Sequence, residues 1–306
     1  MGKDTMPVGK TLENLTRRFL PPPAARLAKR FAVHPRYAAQ AEACRKGFRE
    51  FGDRYPQRIL FVAGLPKSGT TWLEKMVSSW PGYHELLIPD VAAHELKTGG
   101  SHDFDLPDDT FTRMKDMLVL TKMHVYGSET NARVLRDAGV PYAILFRDLR
   151  DVAVSNAFYV RNTPWHPEHP HYAGKDTGAC LEVFAERTLP AYAAWVRSWQ
   201  ANRDPERSIV LRYEQLLANA MGCLRELARI FELDAGEERL EEIVEANSFK
   251  RMSGGRDRGE GDGGQFVRKG VAGDWVNHFD DRLREVYKSR IGDFLVEFGY
   301  EEGTDW

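Results

Sequence analysis

The sequence lacks the features that mark several specialised classes of protein. Its 306 residues include only three cysteines, Cys44, Cys180 and Cys223, which are too few and too scattered for a disulfide framework. No apolar run approaches the length of a membrane-spanning helix, and no N-terminal segment has the basic, apolar and small-residue order of a signal peptide. The net charge of −2 does not favour a general nucleic-acid binder. We therefore expect a cytoplasmic protein with reduced thiols and no nucleic-acid partner.

Positive charge is concentrated at the N-terminus of the chain. Residues 1–50 hold eleven Lys and Arg against four Asp and Glu. An apolar stripe runs beside these charges and is formed by Leu12, Leu15, Phe19 and Leu20. We interpret residues 1–50 as a basic helical arm that packs on a domain formed by residues 51–306. The alternative is that this arm makes a peripheral contact with a membrane surface.

Four apolar segments are typical of buried strands, and helical patterns lie between them. The predicted strands cover residues 59–64, 119–124, 142–146 and 208–213. The predicted helices cover residues 34–51, 72–80, 129–138, 149–160, 183–202 and 214–231. This alternation predicts a single α/β domain with a central, mostly parallel sheet flanked by helices. Residues 162–174 and 253–264 are predicted to be long surface loops that serve as lids.

The first predicted strand is followed by a loop rich in groups that bind anions. Its sequence, Pro66-Lys67-Ser68-Gly69-Thr70-Thr71-Trp72, leads into a predicted helix. Free backbone N–H groups and the helix dipole favour a bound anion at such a place. The lysine stands inside the loop, whereas a Walker A loop has it directly after the second glycine. The loop is therefore P-loop-like and predicts a phosphate-like ligand.

Two later segments supply a second set of polar and cationic groups. Arg147 ends the third predicted strand, and Ser155 lies two turns along the following helix. Arg268-Lys269-Gly270 comes after a glycine-rich stretch, so its side chains can fold over a bound anion. A guanidinium and a hydroxyl suit a second phosphate. Asp148 leaves a different role open, because an acid at this place holds magnesium in a P-loop kinase.

Together and in this order, the three segments resemble the cytosolic sulfotransferase family. The matching residues are Pro66–Trp72, Asp151-Val152-Ala153-Val154-Ser155, and Arg268-Lys269-Gly270 through Gly273-Asp274-Trp275. The resemblance spans roughly two thirds of the chain. It implies an α/β fold around a parallel sheet, and it implies 3′-phosphoadenosine 5′-phosphosulfate (PAPS) as the donor co-substrate.

The resemblance also implies a role for each matching residue. The 5′-phosphosulfate would be held by Lys67, Ser68, Gly69, Thr70 and Thr71. The 3′-phosphate would be held by Arg147, Ser155, Arg268, Lys269 and Gly270. The adenine would be contacted by Trp72, Tyr213 and Phe249. The sequence departs from the family at Met123 and Asn247, each of which replaces a threonine.

His124 resembles the family's strand-end histidine, which takes the proton from the acceptor. Histidine suits this task because its ordinary pKa lies near the working pH. Lys122 would neutralise the sulfonate oxygens, and Lys67 would stabilise the bridging oxygen of the departing nucleotide. The resemblance thus implies an in-line transfer that relies on positioning and charge, and no metal is expected.

The acceptor is expected to be a small molecule with a hydroxyl or an amine. Nearby aromatic residues favour an apolar or aromatic acceptor, namely Phe158, Tyr159, Trp165 and Tyr172. The histidines of the same loop are interpreted as loop residues and not as a metal cluster, namely His166, His169 and His171. Two alternatives stay open: a P-loop kinase that binds ATP with magnesium, and a nucleotide-binding module without catalysis.

Overall fold

The computed structural model describes residues 22–98, 102–261, 267–303 and 305–306. Its strands are β1 (Ile59–Gly64), β2 (His84–Glu85), β3 (Val119–Met123), β4 (Tyr142–Phe146) and β5 (Ser208–Arg212). They form one sheet in the order β2-β3-β1-β4-β5, and every neighbouring pair is parallel. The prediction of a central parallel sheet is therefore confirmed.

Helices connect the strands and cover the sheet. The helices that precede β4 are α1 (Pro22–Phe51), α2 (Thr70–Val77), α3 (Pro89–Thr98) and α4 (Glu129–Asp137). The helices between β4 and β5 are α5 (Leu149–Arg161), α6 (His169–Tyr172), α7 (Thr177–Arg187) and α8 (Leu189–Asn202). The helices after β5 are α9 (Tyr213–Ala218), α10 (Ala220–Ile230), α11 (Glu237–Ala246), α12 (Phe249–Met252) and α13 (Asp281–Glu297). Short 3₁₀ turns cover Gly52–Arg54, Thr112–Met114 and Asp274–Asn277.

The sheet is buried on both faces. Along β1, Phe61 and Ala63 belong to one hydrophobic core, whereas Leu60 and Val62 belong to the core on the other face. A strand that is covered on both sides needs apolar residues at every position. This requirement explains the uninterrupted apolar run from which β1 was predicted.

Two helices predicted as continuous are divided in the structure. The segment 183–202 forms α7 and α8, because Pro190 lies in the first turn of α8, where its missing backbone N–H is tolerated. The segment 214–231 forms α9 and α10, because the Asn219 side chain accepts a backbone hydrogen bond and caps the start of α10. The predicted loop 162–174 also contains α6.

Helix α1 ends one residue beyond the predicted boundary between the arm (residues 1–50) and the domain (residues 51–306). It ends at Phe51, and Arg36 on this helix forms an ion pair with Glu85 (Nη2–Oε1, 3.0 Å). The apolar stripe in residues 12–20 lies outside the described residues, so the basic arm stays a prediction. Within the described ranges, no helix has the length and apolar character needed to cross a membrane.

Candidate active site

A cavity of about 1800 Å³ lies at the carboxyl ends of the central strands, as expected for a sheet of this kind. Nearly all predicted site residues line it: Lys67, Gly69, Thr70, Thr71, Trp72, Lys122, His124, Arg147, Ser155, Tyr213, Phe249, Arg268, Lys269 and Gly270. Ser68 is different, because it is fully buried and does not line the cavity. The fold thus brings six separate parts of the chain to one place.

The loop after β1 is curled by two residues in the left-handed region, Lys67 at φ 67° and Gly69 at φ 84°. A Cβ at position 69 would lie 2.7 Å from the Tyr213 ring, so glycine is required there. Gly69 precedes α2, whose first backbone N–H groups have no partner within the helix. The Ser68 hydroxyl is buried and has no hydrogen-bond partner among the described residues. These features fit a loop that a bound anion completes.

Lys67 carries its ammonium group into a crowded cationic environment. Its Nζ lies 4.0 Å from the centroid of the Tyr159 ring. Burial lowers the pKa of Lys67 to about 8, and the positive charges of Arg147 and Arg268 contribute to the decrease. An anion bound here would offset both the burial and the repulsion that lower this pKa.

Arg147 and Arg268 form a second cationic cluster on the cavity wall. The Arg147 guanidinium lies over the Tyr213 ring, with its central carbon 4.3 Å from the ring centroid. In both arginines the Nε–H is buried and lacks a hydrogen-bond partner among the described residues. An unpaired buried donor costs roughly 1–3 kcal/mol. The two groups therefore fit a second phosphate, which would complete their hydrogen bonding.

Asp151, to which the sequence prediction gave no role, anchors one side of this cluster. Its carboxylate accepts a hydrogen bond from Arg147 (Nη2–Oδ2, 2.9 Å). It also accepts backbone hydrogen bonds from Gly273 (2.7 Å) and Trp275 (2.9 Å). Asp151 thereby joins α5 to the C-terminal segment that carries Arg268. The signal in the sequence was an acid inside the motif that supplied Ser155.

Asp274, also without a predicted role, anchors the other side. It pairs with Arg268 (Nη1–Oδ2, 2.7 Å) and with Lys269 (Nζ–Oδ1, 2.8 Å). Burial raises the pKa of Asp274, but the hydrogen bonds from Lys269 and Arg268 outweigh burial and hold this pKa well below its usual range. The carboxylate therefore stays charged and holds both cations in the absence of a ligand.

The residues predicted to contact adenine lie close to one another. The indole N–H of Trp72 donates to the backbone carbonyl of Asn247 (2.9 Å), and the Trp72 and Tyr213 rings pack edge to face with centroids 6.1 Å apart. At position 270 a Cβ would lie 2.3 Å from the Phe249 ring, so Gly270 allows this ring its place. Asn247, which departs from the family, thus fixes Trp72 through its backbone.

His124 follows β3 and lines the cavity. Its Nδ1 bonds to the carbonyl oxygen of Gly64, which can only accept a hydrogen bond. The proton must therefore sit on Nδ1, which leaves Nε2 with its lone pair. Burial lowers the pKa of His124, and the negative charge of Glu95 opposes the decrease. Glu95, on α3, lines the same cavity and was missed by the sequence analysis.

Lys122 lines the cavity while paired with a second missed acid, Glu74 on α2. Burial raises the pKa of Glu74, although the Lys122 charge opposes this. The acid proposed for a kinase-type magnesium site is engaged elsewhere, because Asp148 is buried against Arg150 (Nη2–Oδ2, 2.7 Å). In the part of the chain that the structure describes, no group of His, Cys, Asp and Glu side chains is arranged to bind a metal.

Aromatic side chains form one part of the remaining cavity wall. Tyr159, Trp165 and Tyr172 line it as the sequence suggested, and Tyr192 of α8 joins them. Phe158 does not line it, because its ring packs near Arg268, with 5.0 Å between the guanidinium carbon and the ring centroid. This side of the cavity suits an apolar or aromatic molecule.

The fold and the cavity together define an α/β protein in which basic and aromatic side chains line one cavity at the carboxyl ends of the strands. Residues 57–299 match the family model described as "Sulfotransferase domain". The match covers well over half of the chain, and the chain therefore belongs to the sulfotransferase family. The predicted family and α/β fold are confirmed, and the prediction of a PAPS-dependent sulfotransferase is confirmed at the level of the enzyme class.

Individual relatives agree with this assignment. Sulfotransferase 1B1 of the dog (Canis lupus familiaris) is 23% identical over 276 residues, with 79% of this chain and 86% of the relative covered. Sulfotransferase 1B1 of the mouse (Mus musculus) is 28% identical over 274 residues, with 78% and 84% covered.

Two solved structures share the fold. Mouse sulfotransferase SULT7A1 complexed with PAP has a TM-score of 0.58 at 20% identity, with 80% of this chain and 88% of that chain covered. Retinol dehydratase in a complex with retinol and PAP has a TM-score of 0.57 at 21% identity, with 79% and 83% covered.

Proposed function

We propose that this chain transfers the sulfonate group of PAPS to a hydroxyl or amine of a small apolar or aromatic acceptor, with His124 as the base. One observation carries the proposal. His124 lines a single cavity with Lys67, Arg147 and Arg268, and the buried Nε–H groups of the two arginines have no hydrogen-bond partner among the described residues. A base and two anion subsites are what transfer from a doubly phosphorylated donor requires.

Each side chain then has a defined task. The acceptor oxygen or nitrogen attacks sulfur, the bond from sulfur to the bridging oxygen breaks, and the acceptor proton passes to His124 Nε2. Lys67 stabilises the negative charge that develops on the bridging oxygen. Lys122, held by Glu74, offsets charge on the sulfonate oxygens. The leaving nucleotide is PAP, the donor without its sulfonate.

The donor site residues predicted above are proposed to divide the nucleotide among them. Lys67 to Thr71 would bind the 5′-phosphosulfate, and Arg147, Ser155 and Arg268–Gly270 the 3′-phosphate. Trp72, Tyr213 and Phe249 would hold the adenine between aromatic rings. The relatives support the choice of nucleotide, because the solved structures named above contain PAP.

The relatives also support a small apolar acceptor. Solved complexes of retinol dehydratase contain retinol or androsterone together with PAP. The aromatic wall formed by Tyr159, Trp165, Tyr172 and Tyr192 suits molecules of this chemical class. A cytoplasmic location stays a prediction.

Substitution of the base tests the proposal. The purified enzyme is incubated with PAPS and a panel of phenols, sterols and amines, and sulfonated products are detected by mass spectrometry. For an acceptor found in this way, His124→Ala should lower kcat at least a hundredfold, because general base catalysis contributes about 10²–10⁴-fold. The control is His84→Ala, at an exposed histidine outside the cavity. Near wild-type turnover in His124→Ala would refute the base.

The two alternatives give different binding results. Calorimetry should show PAP binding without magnesium and much weaker binding of ATP with magnesium. Tight binding of ATP with magnesium and transfer of its terminal phosphate would instead indicate the kinase. PAP binding without transfer to any acceptor of the panel would indicate a nucleotide-binding module.

A further inference from the structure

Tyr159 has a role in the cavity that goes beyond shaping its aromatic wall. The ring is half-buried on α5, and the Lys67 Nζ lies over its face, 4.0 Å from the centroid. The His166 ring packs edge to face against the Tyr159 ring, with 5.7 Å between the ring centroids and 82° between the ring planes. Tyr159 therefore stands between the donor loop and the loop of the acceptor side.

The positive charges around Lys67 disfavour the charged form of its ammonium group. Arg147 at the end of β4 and Arg268 of the C-terminal segment both repel its ammonium group. His124, which follows β3, becomes positively charged when it is protonated, and this charge and that of Lys67 also repel each other. Tyr159 differs from all three, because an aromatic face attracts a cation. The attraction grows where water is excluded, and Lys67 is half-buried in the cavity wall.

Helix geometry places Tyr159 to serve the donor. Ser155, which lines the donor part of the cavity, lies four residues earlier on α5. Residues four apart lie on the same face of a helix. One face of α5 thus presents a hydroxyl toward the predicted 3′-phosphate subsite and an aromatic ring toward Lys67.

We propose that Tyr159 is a positioning residue for Lys67, and that its ring holds the charged ammonium group at the boundary between donor and acceptor. The effect on kcat rests on the proposed sulfonate transfer, whereas the effect on the protonation of Lys67 does not. The ring stabilises the charged form of Lys67 relative to the neutral form. It thereby keeps the lysine able to stabilise the bridging oxygen at higher pH.

The first test compares Tyr159→Leu, which removes the aromatic face, with Tyr159→Phe, which keeps it. In Tyr159→Leu we expect kcat to fall about tenfold and the alkaline limb of the kcat profile to move down by about one pH unit. In Tyr159→Phe the alkaline limb should stay where it is in the wild type. If Tyr159 only shapes the acceptor pocket, Tyr159→Leu will raise KM for the acceptor and leave this limb unmoved, which would overturn the proposal.

The second test needs no catalysis. Lysine acetylation by a trace of acetic anhydride is followed by mass spectrometry across pH in the ligand-free wild type and both variants. The midpoint for Lys67 should fall in Tyr159→Leu and stay unchanged in Tyr159→Phe. Lys269 lines the same cavity but is held by Asp274, so its labelling serves as the internal control.

The outcomes separate this inference from the proposed function. An enzyme without sulfonate transfer but with a shifted Lys67 midpoint in Tyr159→Leu would refute the function and support the positioning role. An active enzyme with the same Lys67 midpoint in all three proteins would refute the positioning role. Thermal melting of each variant, with Tyr159→Phe as the conservative change, identifies any effect of misfolding.

Discussion

The protonation state of Lys67 links donor binding to pH at the scale of a single residue. Burial and the neighbouring arginines lower the pKa of Lys67 to about 8 in the ligand-free protein. In the proposed complex, the phosphosulfate would place negative charge beside the ammonium group and raise this pKa again. Donor binding near pH 8 is therefore expected to take up part of a proton at Lys67.

Proton uptake on PAP binding is the first prediction. At pH 8 the wild type should take up about half a proton per PAP more than Lys67→Arg, whose guanidinium stays charged. At pH 6.5 the difference should vanish, because Lys67 is already protonated. Calorimetry in two buffers with different ionisation enthalpies measures the uptake. Equal uptake by both proteins at pH 8 would contradict the prediction.

A second residue-scale prediction concerns His124 and Glu95. Because burial lowers the pKa of His124, the acid limb of kcat/KM for the acceptor should lie below pH 6.5. Glu95 opposes this decrease, so Glu95→Gln should move the limb to still lower pH. The pH profile of a confirmed acceptor reaction measures both effects. Glu226→Gln, an exposed change on α10, is the control and should leave the limb in place.

At the scale of elements, buried carboxylates join the helix after β4 to the C-terminal segment. Asp151 on α5 accepts hydrogen bonds from Arg147 and from two backbone N–H groups of that segment. Neither the segment nor Arg147 belongs to the helix that carries the carboxylate. The proposed donor site therefore depends on a contact between elements that are far apart in the chain.

Asp151→Asn should disrupt this contact. Removal of one partner from a buried ion pair costs about 3–5 kcal/mol, so we expect the free energy of unfolding to fall by about 3 kcal/mol. PAP affinity should fall at least tenfold, because Arg147 and the segment lose their common anchor. Asp137→Asn removes an exposed pair with Arg133 and is the control. Denaturant titration and calorimetry should separate the two variants, and equal effects would contradict the role of Asp151.

At the scale of the whole molecule, the sheet is shared by two hydrophobic cores. Ile144 of β4 and Leu60 of β1 are both fully buried, but they belong to cores on opposite faces. Loss of packing on either face should therefore weaken the same sheet. The proposed donor loop follows β1 and the proposed base follows β3, so their placement depends on both cores.

Ile144→Ala and Leu60→Ala should each lower the free energy of unfolding by about 2–5 kcal/mol. Each variant should still unfold in one transition, because neither core can form without the sheet. Urea denaturation followed by tryptophan fluorescence checks this, with the exposed Val296→Ala as the control. Two separate transitions would show that the cores are independent.

Much of the fold could be predicted because its signals are local. The apolar runs of β1 and β4 have the bounds that were predicted for them, since a doubly covered strand is apolar at every position. The edge strand His84–Glu85 could not be predicted, because it has two residues, both exposed. The divisions near Pro190 and Asn219 depend on helix ends, where capping competes with a continuous helical pattern.

The sequence by itself determined the four longer strands, the position of the loop after β1 and the types of side chain that meet in the cavity. Loop residues and cations are recognisable because the chemistry of an anion site depends on residue type and short spacing. The tertiary structure alone decided that Glu74 holds Lys122, that Glu95 acts on His124 and that Tyr159 lies over Lys67. Such pairs join separate elements, and strand order with helix packing decides which elements meet.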